Sequence, residues 1–284
     1  MFSTSELLAT TPPEDIAGAR SMAHNATQIA ALAALANLAP RPDYSHTALR
    51  WNAASGAFET DPMDSHDGLI FIQITLSPLT MRLVRGGEAI AILELDDVSE
   101  ADCLAWLDEG LIEHGLYPAS AVKHPFKLPR DVADIDRFKS AGLEPALLAL
   151  GRWYDLASRQ LLTFASKNDS ISPGPGPIYC WPHHFDIATY VAFETNGNGA
   201  ARGVGVGMSP GDSSYSEPYF YVNPWPHLSA DSLPPLPTPG HWHTDGFVGA
   251  VATASEVLTL DDTDGALSDF IDSAFAVGRE KLRA

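Results

Sequence analysis

Two short segments concentrate the side chains of this chain that can do chemistry. One is Trp181-Pro182-His183-His184-Phe185-Asp186, and the other, about 55 residues later, is Gly240-His241-Trp242-His243-Thr244-Asp245. Together they hold four of the ten histidines. In an extended strand, residues two apart share a face. His184 and Asp186 are then expected to point one way, and His241 and His243 to point together from a second strand. Imidazole nitrogens and a carboxylate at that spacing can close on one divalent metal ion, zinc, iron or manganese. Such an ion would act as a Lewis acid or activate water. His184, Asp186, His241 and His243 are therefore the candidate metal ligands. Glu217 and Asp245, with Asp186, are the candidate catalytic carboxylates, able to move protons or to orient the imidazoles.

The same region is rich in rings, which opens two other readings. In the first, a metal-free site holds a small polar or sugar-like ligand. Its lining is Trp181, His183, Asp212, Tyr219, Tyr221 and Trp242. In the second, the histidines donate to backbone carbonyls, pack on rings and order the Pro-rich segment 223–240. A His-x-Asp pair with a distant His also suits the two-histidine, one-carboxylate iron oxygenases. Residues 244–260, however, contain no Arg or Lys to hold a co-substrate carboxylate. A Ser–His–acid hydrolase through Ser213, Ser214 or Ser216 lacks the Gly-x-Ser-x-Gly turn of that class.

The bulk properties narrow the partners. The chain has 284 residues, 45% hydrophobic and 19% charged, enough for a substantial core. Its 17 basic against 36 acidic residues give a net charge of −19. That argues against nucleic acid and against an anionic membrane, both of which need clustered Lys and Arg. Two cysteines, Cys103 and Cys180, form no disulfide framework. The first residues lack the pattern of a signal peptide. The cytoplasm is the expected compartment.

The elements that must position these residues are legible from pattern. A capped helix is expected from Thr11 to about Leu38, its Ala-rich half buried. Hairpins are expected around Ala54-Ser55-Gly56 and Arg85-Gly86-Gly87-Glu88, with a strong strand at Leu69–Thr75. A helix opens at Ser99, and a second long one runs from Leu143 to Lys167. Ile178 to Glu194 reads as one strand bent at Pro182, followed by a turn at Asn196–Gly199. Arg202–Met208 alternates Gly with Val, so something is expected to approach its backbone closely. It returns through Glu217–Val222. His241–Ala252 reads as the last strand, and Leu267–Leu282 as an amphipathic helix. The expected fold is α+β, antiparallel sheet with long packing helices. Two pseudo-similar halves, 1–140 and 141–284, form one body, and the second carries the site.

Phe185-Asp186-Ile187-Ala188 and Ser214-Tyr215-Ser216-Glu217-Pro218-Tyr219-Phe220-Tyr221 carry a resemblance to a bacterial family known as a domain of unknown function. Its members read Phe-Trp-x-Ser-Phe-Asp-Leu-Ala and, later, Glu-Pro-Ala-Phe-Tyr. The similarity is diffuse over residues 14–282. It implies the same helix-and-strands fold and marks Asp186 and the Glu217-Pro218 strand as the older part of the site. The family tends to have Ser where this chain has His184. The histidines are then an addition of this branch.

Overall fold

A computed structural model of the chain describes residues 4–129, 132, 134–193, 202–231 and 233–283. The helices are α1 (Thr4–Leu8), α2 (Ala17–Asn37), α3 (Glu100–Glu113), α4 (Glu144–Lys167), α5 (Ala254–Val257) and α6 (Thr263–Arg283). The strands are β1 (Leu49–Asn52), β2 (Ala57–Thr60), β3 (Met63–Ser65), β4 (Gly68–Leu76), β5 (Leu79–Arg85), β6 (Glu88–Glu94), β7 (Pro173–Pro175), β8 (Tyr179–Trp181), β9 (Asp186–Phe193), β10 (Arg202–Ser209), β11 (Tyr219–Trp225), β12 (His241–His243) and β13 (Gly249–Thr253). The fold is α+β, and every strand pairing is antiparallel. No described helix is long and apolar enough to cross a membrane.

The chain divides into two compact units. The first comprises residues 15–151 and 179–185. Its strands run in the order β8-β1-β2-β4-β5-β6, with β3 beside β4. Ala19, Ala23, Ala26, Ala30, Ala33 and Ala34 of α2 are fully buried, because small side chains let this helix lie close to its neighbours. α3 opens on Ser99, whose hydroxyl accepts the Asp102 N–H at 3.0 Å.

The second unit comprises residues 1–14, 152–178 and 186–284. Its strands run β12-β13-β11-β10-β9, and β7 adds to β9. α6 covers one face. Val204 and Pro224 come within 3.2 and 3.0 Å of where a Cβ on Gly278 would stand, so the helix sits directly on β10 and β11. Leu267, Phe270, Ile271, Ala274 and Phe275 of α6 are buried. Each large one contributes roughly 2 kcal/mol of apolar burial. Phe275 meets Phe164 of α4 edge-on, ring centroids 4.9 Å apart.

Two expected strands are broken, and each break moves candidate residues. The run from Ile178 is two strands, β8 and β9, with a tight turn between them. Pro182 has no N–H to give a ladder. Phe185 takes a left-handed φ of 56°, and its N–H returns to the Trp181 carbonyl at 2.7 Å. The alternation that paired His184 with Asp186 therefore does not hold. His241–Ala252 is likewise a hairpin. It turns through Asp245-Gly246, where Gly246 has φ 82°, and sets His241 opposite Val251. The turn expected at Asn196–Gly199 lies outside the described residues.

The glycines of β10 have a definite use. With Val204, Val206 and Met208 turned to the buried face, Gly203, Gly205 and Gly207 line the other. The Tyr190 ring of β9 lies across Gly203, and the Tyr221 ring of β11 lies across Gly207. A Cβ at Gly207 would stand 2.6 Å from the Tyr221 ring and 2.7 Å from the Ile187 carbonyl. At Gly205 the nearest atom would be 3.7 Å away. Gly207→Ala is expected to cost about 1–3 kcal/mol in urea unfolding, as overpacking does. Gly205→Ala, one turn of the pleat away, is expected to stay within about 0.5 kcal/mol.

Candidate functional site

The face of the second unit opposite α6 gathers polar and aromatic side chains from five elements. Alternation along β11 places Tyr219, Tyr221, Asn223 and Trp225 there. β9 brings Asp186 and Tyr190, and β12 brings His241 and His243. The loop between β10 and β11 brings Asp212 and Tyr215, and α5 brings Glu256.

One end is a pair of tyrosine–carboxylate bonds. The Tyr221 hydroxyl, whose ring spans Gly207, donates to Asp186 Oδ2. The Tyr219 hydroxyl donates to Asp212 Oδ2 at 2.6 Å. Asp212 is fixed in turn because its Oδ1 accepts the Ser214 and Tyr215 N–H groups at 2.7 and 3.2 Å. Burial, reinforced by the Asp186 carboxylate, pushes the Tyr221 phenol far up. Burial, then the bond to Asp212, does the same for Tyr219. Both phenols are hydrogen-bond donors at neutral pH.

The other end is a chain of titratable groups. Tyr215 Oη stands 2.8 Å from His243 Nδ1 and 3.3 Å from His241 Nε2. Its phenol is also pushed up, by burial first and then by Glu256 and Asp212, so it keeps its proton. His243 Nε2 lies 2.6 Å from the Asp245 carbonyl. A carbonyl only accepts, so Nε2 carries a proton and Nδ1 of the neutral ring accepts the Tyr215 O–H. Tyr215 then has no proton left for His241. The Nδ1 of His241 lies 3.2 Å from Glu256 Oε1, at ion-pair distance although off hydrogen-bond alignment. A neutral His241 has one proton for these two contacts. Either Nε2 or Nδ1 faces an oxygen without one. Half-exposed, with both its side chain and that of Glu256 at 40%, His241 is open to a ligand.

Local structure fixes Glu256. It is the third residue of α5, and its Oε2 accepts the Thr253 N–H at 2.8 Å in a capping box. The other oxygen is left for His241.

The remaining candidates take other places. Trp181, His183 and His184 belong to the first unit, in the turn between β8 and Phe185. His24 Nε2, at 2.6 Å, and Gln28 Nε2 both donate to the Pro182 carbonyl, and the His24 ring stacks on Phe185 at 4.8 Å. His183 packs against Phe126 at 5.3 Å and His184 at 4.2 Å. These side chains hold the turn. Glu217 Oε2 accepts both the N–H and hydroxyl of Ser255 at 2.6 Å, which clamps the loop before β11 to α5. Only the main chain of Asp245 meets His243. Trp242 points away from its flanking histidines, and its indole N–H donates to the Pro234 carbonyl at 2.7 Å. It anchors the Pro-rich segment.

The proposed metal quartet is not assembled. His184 lies in one unit and the other three lie in the second. Within the second, β9 and β12 stand four strand spacings apart, roughly 19 Å at about 4.8 Å each. Among the described residues, no three His, Cys, Asp or Glu side chains converge closely enough to hold a metal ion.

Tyr215 and Glu256 join this face without standing among the candidate site residues of the sequence. Thr253-Ala254-Ser255-Glu256 has the spacing of a capping box, which could have marked Glu256. Nothing local singles out Tyr215 as the group between two histidines. Compared with family profiles, curated proteins and solved structures, the chain matches none.

The turn around Pro182 carries a pH dependence. Burial holds His124 and His183 down to about 4, with His184 adding to the effect on His183. Unfolded, each returns to about 6.5, so between these values the unfolded chain binds more protons. Stability is expected to be complete above about pH 6.5 and to fall as pH drops toward 4. Urea midpoints measured across that range check this. His183→Gln is expected to flatten the slope.

Proposed function

We propose that the face built by Asp186, Asp212, Tyr215, Tyr219, Tyr221, His241, His243 and Glu256 binds a small polar, sugar-like ligand and moves a proton on it. The observation that carries this reading is the Tyr215 hydroxyl between two imidazoles. Its proton is committed to His243, which leaves His241 one proton short. A ligand hydroxyl or a water that donates to His241 Nε2 supplies the missing proton. If that proton is transferred, the imidazolium forms beside the Glu256 carboxylate, which balances its charge. Hydrolase-like chemistry follows where the oxygen is that of water: it bonds to the carbon at one end of a ligand C–O bond, that bond breaks, and the leaving oxygen takes the proton held by the His241 imidazolium. Tyr219 and Tyr221, held as donors, orient further ligand oxygens. Binding without turnover is the alternative use of the same face, supported by the hydrogen bonds that already hold its carboxylates.

Three coarser expectations belong to the same proposal. They are a distant kinship with the bacterial family of unknown function, a cytoplasmic setting that suits the buried thiols of Cys103 and Cys180, and two pseudo-similar helix-and-strands halves, 1–140 and 141–284.

The test is a nitrogen-15 NMR titration of the histidine rings, free and with p-nitrophenyl glycosides. His243 is expected as its Nε2–H tautomer, and Tyr215→Phe is expected to shift both His241 and His243. His241→Gln is expected to lower any glycoside turnover about 100-fold, with Trp242→Phe unchanged. A His243 protonated on Nδ1 instead, or rings indifferent to Tyr215→Phe, would refute the relay.

A further inference from the structure

A run of rings leads along the same sheet face away from the titratable chain. The His243 ring stacks on Phe247 at 4.2 Å, Phe247 meets His227 at 6.3 Å, and His227 stands edge-on to Trp225 at 5.1 Å. Pro224, the neighbour of Trp225, packs under α6, so the indole turns to the opposite face. There it lies in register with Gly203, across which the Tyr190 ring is laid. Trp225 is 53% exposed and Tyr190 is 40% exposed. Between their strands β10 offers only glycines to this face, Gly203 and Gly205, so its backbone makes the floor there.

Charge limits what can lie on this track. From Gly203 to Gly278 the chain has no Lys or Arg. Arg202, at the start of β10, reaches to the Leu282 carbonyl on the α6 side. Asp186, Asp212 and Glu256 stand on the track's own face. A phosphorylated or carboxylated ligand would meet repulsion without a counter-charge. A neutral ligand with flat apolar faces and an edge of hydroxyls suits both the rings and the donors. A hexose with equatorial substituents presents such a face of C–H bonds, and a chain of them repeats it.

Resting on the proposed proton-transfer site, we infer that the ligand is a neutral, β-linked oligosaccharide that extends along this track, with Trp225 and Tyr190 as a distal stacking subsite. The residue at the reactive end sits against His241 and Tyr215, and the remaining residues stack on the exposed rings.

Calorimetric titration of the full chain with cellotetraose and with chitotetraose tests this. At least one is expected to bind ten times or more tighter than its monosaccharide. Trp225→Ala and Tyr190→Ala are each expected to weaken that binding roughly tenfold, and Trp225→Phe to keep it. The melt of each variant is measured alongside, and a melt that matches the wild type makes a loss of binding specific. Tetragalacturonate, the anionic control, is expected not to bind. The inference is overturned if neither neutral tetrasaccharide binds, or if both alanine variants bind as the wild type does. The tautomers of His241 and His243 are read in the free protein, without tetrasaccharide. Failure of the proton relay therefore shows in the NMR titration, and failure of the track shows here.

Discussion

The side chains that β10 lacks govern the second unit. Without a Cβ at Gly203 and Gly207, the rings of Tyr190 and Tyr221 can lie flat across the strand between their own strands. The Tyr221 hydroxyl then reaches Asp186 on the far side of β10. A carboxylate on β9 and a phenol on β11 are thus joined over a strand that contributes only backbone. The opposite face of β10, with Val204, Val206 and Met208, makes the core under α6. One alternating strand separates a packed side from a chemical side.

Beside this interlock, elements with ordinary structural duties present the reactive groups. Glu256 stands third in a four-residue helix, and one of its oxygens holds the start of that helix while the other faces His241. Asp212 closes a tight turn with one oxygen and takes the Tyr219 phenol with the other. Carboxylates pinned in this way need little reordering when a ligand arrives, which is how a site gains from preorganisation.

Much of the scaffold was legible in the sequence. Helix periodicity placed α3, α4 and α6, and glycine alternation in β10 announced a close approach that Tyr190 and Tyr221 make. The polar ligand candidates Asp212, Tyr219 and Tyr221 do meet, together with Asp186. The facing of the histidines was not legible. Face assignment by twos holds only inside an unbroken strand, and the left-handed Phe185 resets it between His184 and Asp186. Asp245-Gly246 was a turn signal within a run read as continuous. Tyr215 was invisible for a different reason, because its role depends on a long-range meeting of a loop with β12 that no local pattern encodes.

The contrast between the glycine floor and its exposed rings divides the face by tolerance to change. Gly207, Asp186 and Glu256 each serve folding and the site at once, so drift at these positions is costly to the protein as a whole. Trp225 is 53% exposed, and Tyr190, which covers Gly203, is 40% exposed. On the proposed function, such a surface can trade one ligand preference for another at its rim while its reactive end stays fixed. Divergence in specificity should then accumulate at these rings long before it touches the phenol between the two imidazoles.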